Sequence, residues 1–376
     1  MDFNAILSDI KGTQDYASST RMLHYLANVM SKTKMKPDEL KGIKAFLLDE
    51  TKRLLQVIPT VPSYKQKDEI FGYEDALMHI FTVIIQSGAS ITDEEKDTVK
   101  SLIDLITSET VLENTVERAM QGEKVDKDEI KIVLSVVAPI KDEYQRGKIY
   151  GLLLEYKDQL KKLTPEAKAL LSAHTESELE RVLKLPEIDK DIENYLEFAV
   201  DVSKYYAEES LLNTIIKVLK LPYSSVRYYA ADTLLSCGKE VPSEIVAALA
   251  NDLCYAELTY TLLCNHKKDD LFPKELTDPV YLRKSDLVHW LIYPTELNKQ
   301  PDEIEFMGTV RVKKELYYVY KYKTDSDNLE DELKNVWLIG WSTDEGGTFS
   351  NFDALAQYEK KTTEKTLKYI KKKLLK

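Results

Sequence analysis

From Thr20 to about Asn265 the apolar residues return at helical spacing, and this pattern restricts the chain more than any other feature. Leu102, Ile103, Leu105 and Ile106 share one face, as do Leu212, Ile215, Ile216 and Leu219. Such a stripe buries one side of a helix, whereas the side chains of a strand alternate with period two. Composition agrees with helices: only 12 Gly and 12 Pro occur in 376 residues, too few for an all-β chain that turns about every ten residues. Hydrophobic residues at 43% supply a packed core.

The interruptions between stripes repeat one chemical pattern: an apolar residue, a capping residue or Pro, then one or two acids. It appears as Met35-Lys36-Pro37-Asp38-Glu39, Ile91-Thr92-Asp93-Glu94-Glu95, Val125-Asp126-Lys127-Asp128-Glu129, Leu163-Thr164-Pro165-Glu166 and Ile188-Asp189-Lys190-Asp191. A Thr or Asp side chain accepts hydrogen bonds from the free N–H groups of a first turn. Pro suits the first helical position, and acids there face the positive end of the dipole. The first two copies extend into Ile43, Phe46 and Leu47 against Val99, Leu102 and Ile103, an offset of 56 that suggests a duplicated helical hairpin.

The clearest repeat text runs from Ser225 to Gly238, SVRYYAADTLLSCG, and restarts at Val241-Pro242-Ser243-Glu244. Val226, Ala230, Leu234 and Cys237 form one stripe, and Gly238 suits a left-handed helix end. These residues resemble a HEAT or armadillo-type repeat over Tyr223 to Asp252. The resemblance implies helix pairs stacked into a curved solenoid. It also implies that Arg227 supports neighbouring helices rather than a ligand.

After Pro279 the text changes. Lys284 to Ile292 reads as a further helix or a strand entry. Ile304, Phe306, Gly308, Val310 and Val312 alternate as if on one strand face, followed by Tyr318, Tyr320 and Tyr322 across a turn at Lys313-Lys314. Val336 to Trp341 reads as a third strand, and a helix begins near Thr363. The expected class is mainly α: an α-solenoid-like array of helical hairpins, then a small α+β domain with an antiparallel sheet of about three strands. The expected divisions are an N-terminal helical domain over 1–185, HEAT-like repeats over 186–283 and the α+β domain over 284–376.

The formal charge is −12, and it is uneven. Residues 360–376 hold eight lysines against Glu364, a tail of +7 that leaves −19 on residues 1–359. A surface of that sign repels phosphate backbones, so nucleic acid is a poor partner and a basic protein a good one. The lysine-rich terminal helix suits weak contact with an acidic surface. Cys237, Cys254 and Cys264 contain no CxxC and read as small, reduced residues buried in the core. With no signal-like N-terminus and no apolar run long enough to span a bilayer, a cytoplasmic location is the expectation.

Chemical motifs are few. His24, His79, His174, His266 and His289 form no HExxH or Cys/His cluster, so neither a metal site nor a cofactor is expected. His24 and His79 do occupy equivalent positions in the two proposed hairpins, where packed helix histidines are the ordinary reading. Gly147-Lys148 is followed by Ile149, and position 142 is Asp where a phosphate loop needs Gly, so that motif fails. Asp325 to Val336 lacks the Gly and the terminal Glu of a calcium loop. The segment from Asp344 to Asp353, next to Trp341, combines glycines, hydroxyls and acids, as ligand-binding loops do. Tyr228, Tyr229, Trp341, Asp344 and Asp353 are therefore the candidate partner-binding residues, with no catalytic residue assigned. The expected function is a non-enzymatic interaction protein, of scaffold or inhibitor type, gripping a basic protein. The alternatives are an enzyme or ligand-binding protein using residues 344–353, and a HEAT-like nucleic-acid binder.

Overall fold

A computed structural model describes residues 3–12, 15–33, 35–57, 64–86, 109–121, 125–137, 140, 142–293, 297, 299–343, 348–351 and 363–374. The chain divides into two compact units, Met1–Val218 and Leu219–Lys376. The class is mainly helical, with a small antiparallel sheet toward the C-terminal end.

Among the described residues of the first unit, all regular secondary structure is helical. It comprises α1 (Phe3–Gly12), α2 (Tyr16–Lys32), α3 (Pro37–Val57), α4 (Tyr64–Gln86), α5 (Glu109–Met120) and α6 (Lys127–Val137). These are followed by α7 (Glu143–Glu155), α8 (Lys157–Leu160), α9 (Pro165–Val182), α10 (Lys190–Ser203) and α11 (Glu209–Val218). The predicted starts form as their chemistry requires. Asp126 accepts from Asp128 N at 2.8 Å while Glu129 accepts from Asp126 N at 3.0 Å, a reciprocal cap. Thr164 accepts from Ala167 N ahead of Pro165, and Asp189 accepts from Ile192 N at 2.9 Å. The copy at Ile91, with the Val99–Ile106 stripe, lies outside the described residues.

The main packing of this unit joins helices one to three places apart in the chain, as in α2 with α4, α7 with α10 and α9 with α11. The α7–α10 crossing is close because α7 presents glycines. A Cβ on Gly147 would stand 3.1 Å from the Tyr195 Cα, and one on Gly151 would stand 3.2 Å from the Phe198 ring.

The second unit opens with α12 (Ser224–Ser236), α13 (Ser243–Asn251), α14 (Ala256–Asn265) and α15 (Pro279–Ile292), so the Lys284 to Ile292 segment is helix. Three of the four expected stripe residues, Val226, Ala230 and Leu234, are fully buried, whereas Cys237 at the helix end is only partly covered. Of the three cysteines expected in the core, Cys254 is buried and Cys264 is exposed near the end of its helix. At the end of α12, Gly238 takes φ +73°. Its N–H reaches the Leu235 carbonyl and the Lys239 N–H reaches the Leu234 carbonyl, satisfying two orphan acceptors of the last turn. The end of α14 repeats this geometry with Lys267, at φ +57°, in the glycine position.

Four strands follow in sequential order: β1 (Glu303–Val312), β2 (Glu315–Lys323), β3 (Leu338–Thr343) and β4 (Thr348–Asn351), all antiparallel. The terminal helix is α16 (Thr363–Leu374). Strict alternation along β1 does not hold. The register slips between Phe306 and Gly308, so Ile304 and Phe306 pair with Tyr322 and Tyr320, while Gly308 and Val310 pair with Val319 and Tyr317. Directly paired residues share a face, so this bulge moves the second half of β1 to the opposite side of the sheet.

Each sheet face meets a different helix. On one, α15 lies against Tyr320, whose hydroxyl donates to the Val280 carbonyl at 2.7 Å, and against Gly340, where a Cβ would stand 2.7 Å from Leu287. On the other, α16 sets Leu367 against Gly308. Tyr318, Tyr320 and Tyr322 are buried between the sheet and its covering helices. The apolar side of α16 is likewise spent in this core, through Leu367 and Ile370. No helix among the described residues is long and apolar enough to cross a membrane.

Candidate functional site

Tyr228 and Tyr229 flank the buried stripe of α12, which places their rings at the margin of its packed face rather than inside it. The two rings meet edge-on at 5.4 Å, and Tyr228 stands 5.8 Å from Tyr255, the residue just before α14. His289 of α15 approaches Tyr255 edge-on at 6.1 Å, and Tyr293 lies 4.8 Å from His289. The Tyr255 and Tyr293 hydroxyls are hydrogen-bonded at 2.7 Å. Five rings thus form a continuous row, with Tyr255 buried and Tyr293 45% exposed at one end.

The other members come from one side of α15. Arg283, Asp286, His289 and Tyr293 recur at intervals of three, three and four, which aligns them along the helix. Pro279 opens that helix, and Asp278 caps it by accepting from Val280 N. Arg283 donates to Glu257 Oε1 at 2.6 Å and to the Thr343 carbonyl at 3.0 Å. Asp286 accepts from the Ser342 hydroxyl and, at 2.6 Å, from the Thr348 hydroxyl. The Arg283 and Glu257 side chains are only 13% and 14% exposed, so each compensates the other's lost hydration.

Cys254 and His289 stand with Sγ and Nδ1 3.6 Å apart, the pairing a thiol nucleophile would use. The electrostatics oppose that use. Burial, reinforced by Asp252, pushes the Cys254 thiol up to about 12. Burial also lowers the His289 imidazole, against the opposing pull of Asp286 and a backbone hydrogen bond to Cys254. Both partners are therefore neutral near pH 7, whereas an activated pair needs the thiolate and imidazolium.

Trp341 stands apart from the tyrosine row. It pairs with Val319 on the sheet face away from α15, in the core and only 6% exposed. Asp344 and Asp353 lie outside the described residues. Within the same segment, Thr348 to Asn351 forms β4, and the Thr348 hydroxyl is committed to Asp286. Sequence reasoning missed Tyr255, Arg283, Asp286, His289 and Tyr293. The three-three-four spacing of polar and aromatic residues along α15 was the available signal for four of them.

The row can receive a cation or an apolar side chain. Aromatic faces attract ammonium and guanidinium groups, worth about 0.5–2 kcal/mol each depending on desolvation. The Asp286 carboxylate acts on His289 of this row, and Asp252 on Cys254 beside it. No group of three or more His, Cys, Asp or Glu side chains suited to a metal ion occurs among the described residues. Comparison with family models, with curated proteins and with solved structures finds no match for this chain.

Proposed function

We propose that this chain is a non-catalytic protein-interaction protein, HEAT-like in its helical part, that takes a basic protein partner on the tyrosine row of its C-terminal unit. The observation that carries this reading is the row itself: five rings in contact, exposed at Tyr293, in a chain of net charge −12. Tyrosines supply large contact area at low entropic cost and dominate interface energetics. Acidic charge then adds steering toward a cationic patch. A catalytic reading draws less support, because the nearest nucleophile–base pair is held neutral and the hydroxyls of Ser342 and Thr348 are committed to Asp286. A nucleic-acid reading draws less still, given the charge and the buried sheet tyrosines.

The test is affinity capture at low salt, elution with salt, and calorimetry of the eluted protein against wild type and Tyr293→Ala. The expected outcome is a basic partner whose affinity falls with ionic strength and drops about tenfold in the variant, as for a hot-spot aromatic. Absence of any salt-sensitive partner, or an affinity indifferent to Tyr293→Ala, refutes the reading.

A further inference from the structure

His24 on α2 and His79 on α4 come from segments 55 residues apart, yet their Nδ1 atoms stand 3.4 Å from one another. The ring centroids are 5.7 Å apart and the planes tilted by 50°. The nitrogens are thus much nearer than the rings that carry them, so the two imidazoles converge edge-first instead of stacking. Two nitrogens bound at about 2.0–2.1 Å to one tetrahedral ion are separated by about 3.4 Å. The separation in this unit matches that bite.

The surroundings favour the ligand form of the pair. Nε2 of His24 faces Asp75 Oδ2 at 3.7 Å. That carboxylate is fixed by Arg118 at 2.7 Å and by Asn114 at 3.4 Å. A carboxylate on the Nε2 side of His24 favours the tautomer that turns its Nδ1 lone pair toward His79, where without an ion the two nitrogens are within hydrogen-bond reach of each other. Both side chains remain partly open to solvent, which leaves room for water to complete the coordination.

We infer that His24 and His79 form a two-imidazole site for a borderline-soft divalent ion, zinc or copper(II), that clamps α2 to α4. The packing of α2 on α4 sets the two nitrogens in place before any ion arrives. Imidazole suits zinc and copper over magnesium or calcium, which take oxygen ligands.

The experiment is calorimetric titration of chelator-treated full-length chain with Zn²⁺ and with Cu²⁺, comparing wild type, His24→Gln, His79→Gln and Asp75→Asn. One ion per chain is expected in wild type, with that event lost in either histidine variant. Affinity should weaken about 10–100-fold in Asp75→Asn, the usual cost of removing an outer-shell carboxylate. Electron paramagnetic resonance of wild type loaded with one Cu²⁺ provides a readout independent of variant folding, and should show coupling to two imidazole nitrogens. Absence of binding, binding unchanged in both histidine variants, or a spectrum with fewer than two imidazole nitrogens would overturn the site.

Discussion

Glu74 of α4 is buried to 1% exposure, and neither carboxyl oxygen has a hydrogen-bond partner among the described residues. Its neighbour in sequence, Tyr73, is equally buried but donates to Glu50 at 2.8 Å, so one acid of this region is satisfied and the other is not. Burial alone raises the Glu74 carboxyl from 4.5 to about 8. Below the lower value the group is protonated whether the chain is folded or unfolded, and it exerts no pH effect. Above it the unfolded chain ionises freely while the folded chain holds its proton, so folding becomes less favourable as pH rises from about 4.5 to about 8. At about 1.4 kcal/mol per unit, the loss is on the order of 1 kcal/mol at pH 5 and 3 kcal/mol at pH 7. Glu74→Gln keeps the shape and cannot ionise, so it should gain about 2 kcal/mol on wild type between those pH values. Glu74→Met also removes the unpaired polar atoms and should exceed Glu74→Gln at both. Urea denaturation of the full-length proteins at a series of pH values checks this. Parallel pH profiles for wild type and Glu74→Gln would refute the argument that this carboxyl is protonated by burial.

Other consequences follow from particular contacts. Arg283→Met strands Glu257 in a largely buried site and should cost about 3–5 kcal/mol by chemical denaturation. A cost below 1 kcal/mol would mean the pair is effectively solvated. Gly340→Ala puts a methyl 2.7 Å from Leu287 under α15 and should destabilise by about 1–3 kcal/mol, visible as a lower melting temperature. Lys267→Gly relieves a left-handed lysine at the end of α14 and should raise stability by about 1 kcal/mol; a loss would show that the lysine side chain matters more than its backbone. Exposed Cys264 should react with a disulfide reagent in the native protein, whereas Cys254, buried with its thiol raised to about 12, should react only on unfolding.

Much of the helical architecture was legible because its determinants are local. Thr164, Asp189 and Asp126 cap the helices that their own sequences announce, and Gly238 ends α12 through hydrogen bonds spanning five residues. The buried stripe of Val226, Ala230 and Leu234 follows from helical spacing alone. The β1–β2 hairpin and the terminal helix were equally readable, as each depends on a short alternating or amphipathic run.

What the sequence by itself determined was where several of the helices begin and which of their faces are apolar, since caps and helical periodicity act within a few residues; it placed the third strand at Val336 instead of Leu338 and did not announce β4. Tertiary structure alone decided which faces meet and which polar groups converge. The slip at Phe306 and Gly308 reversed half of β1 through pairing with β2, and Trp341 entered the core because its partner Val319 faces α16. His289 joined Tyr255, and His24 met His79, across gaps of 34 and 55 residues. Such meetings depend on helix packing and strand register, which are set by the whole core and leave no trace in any short stretch of the chain.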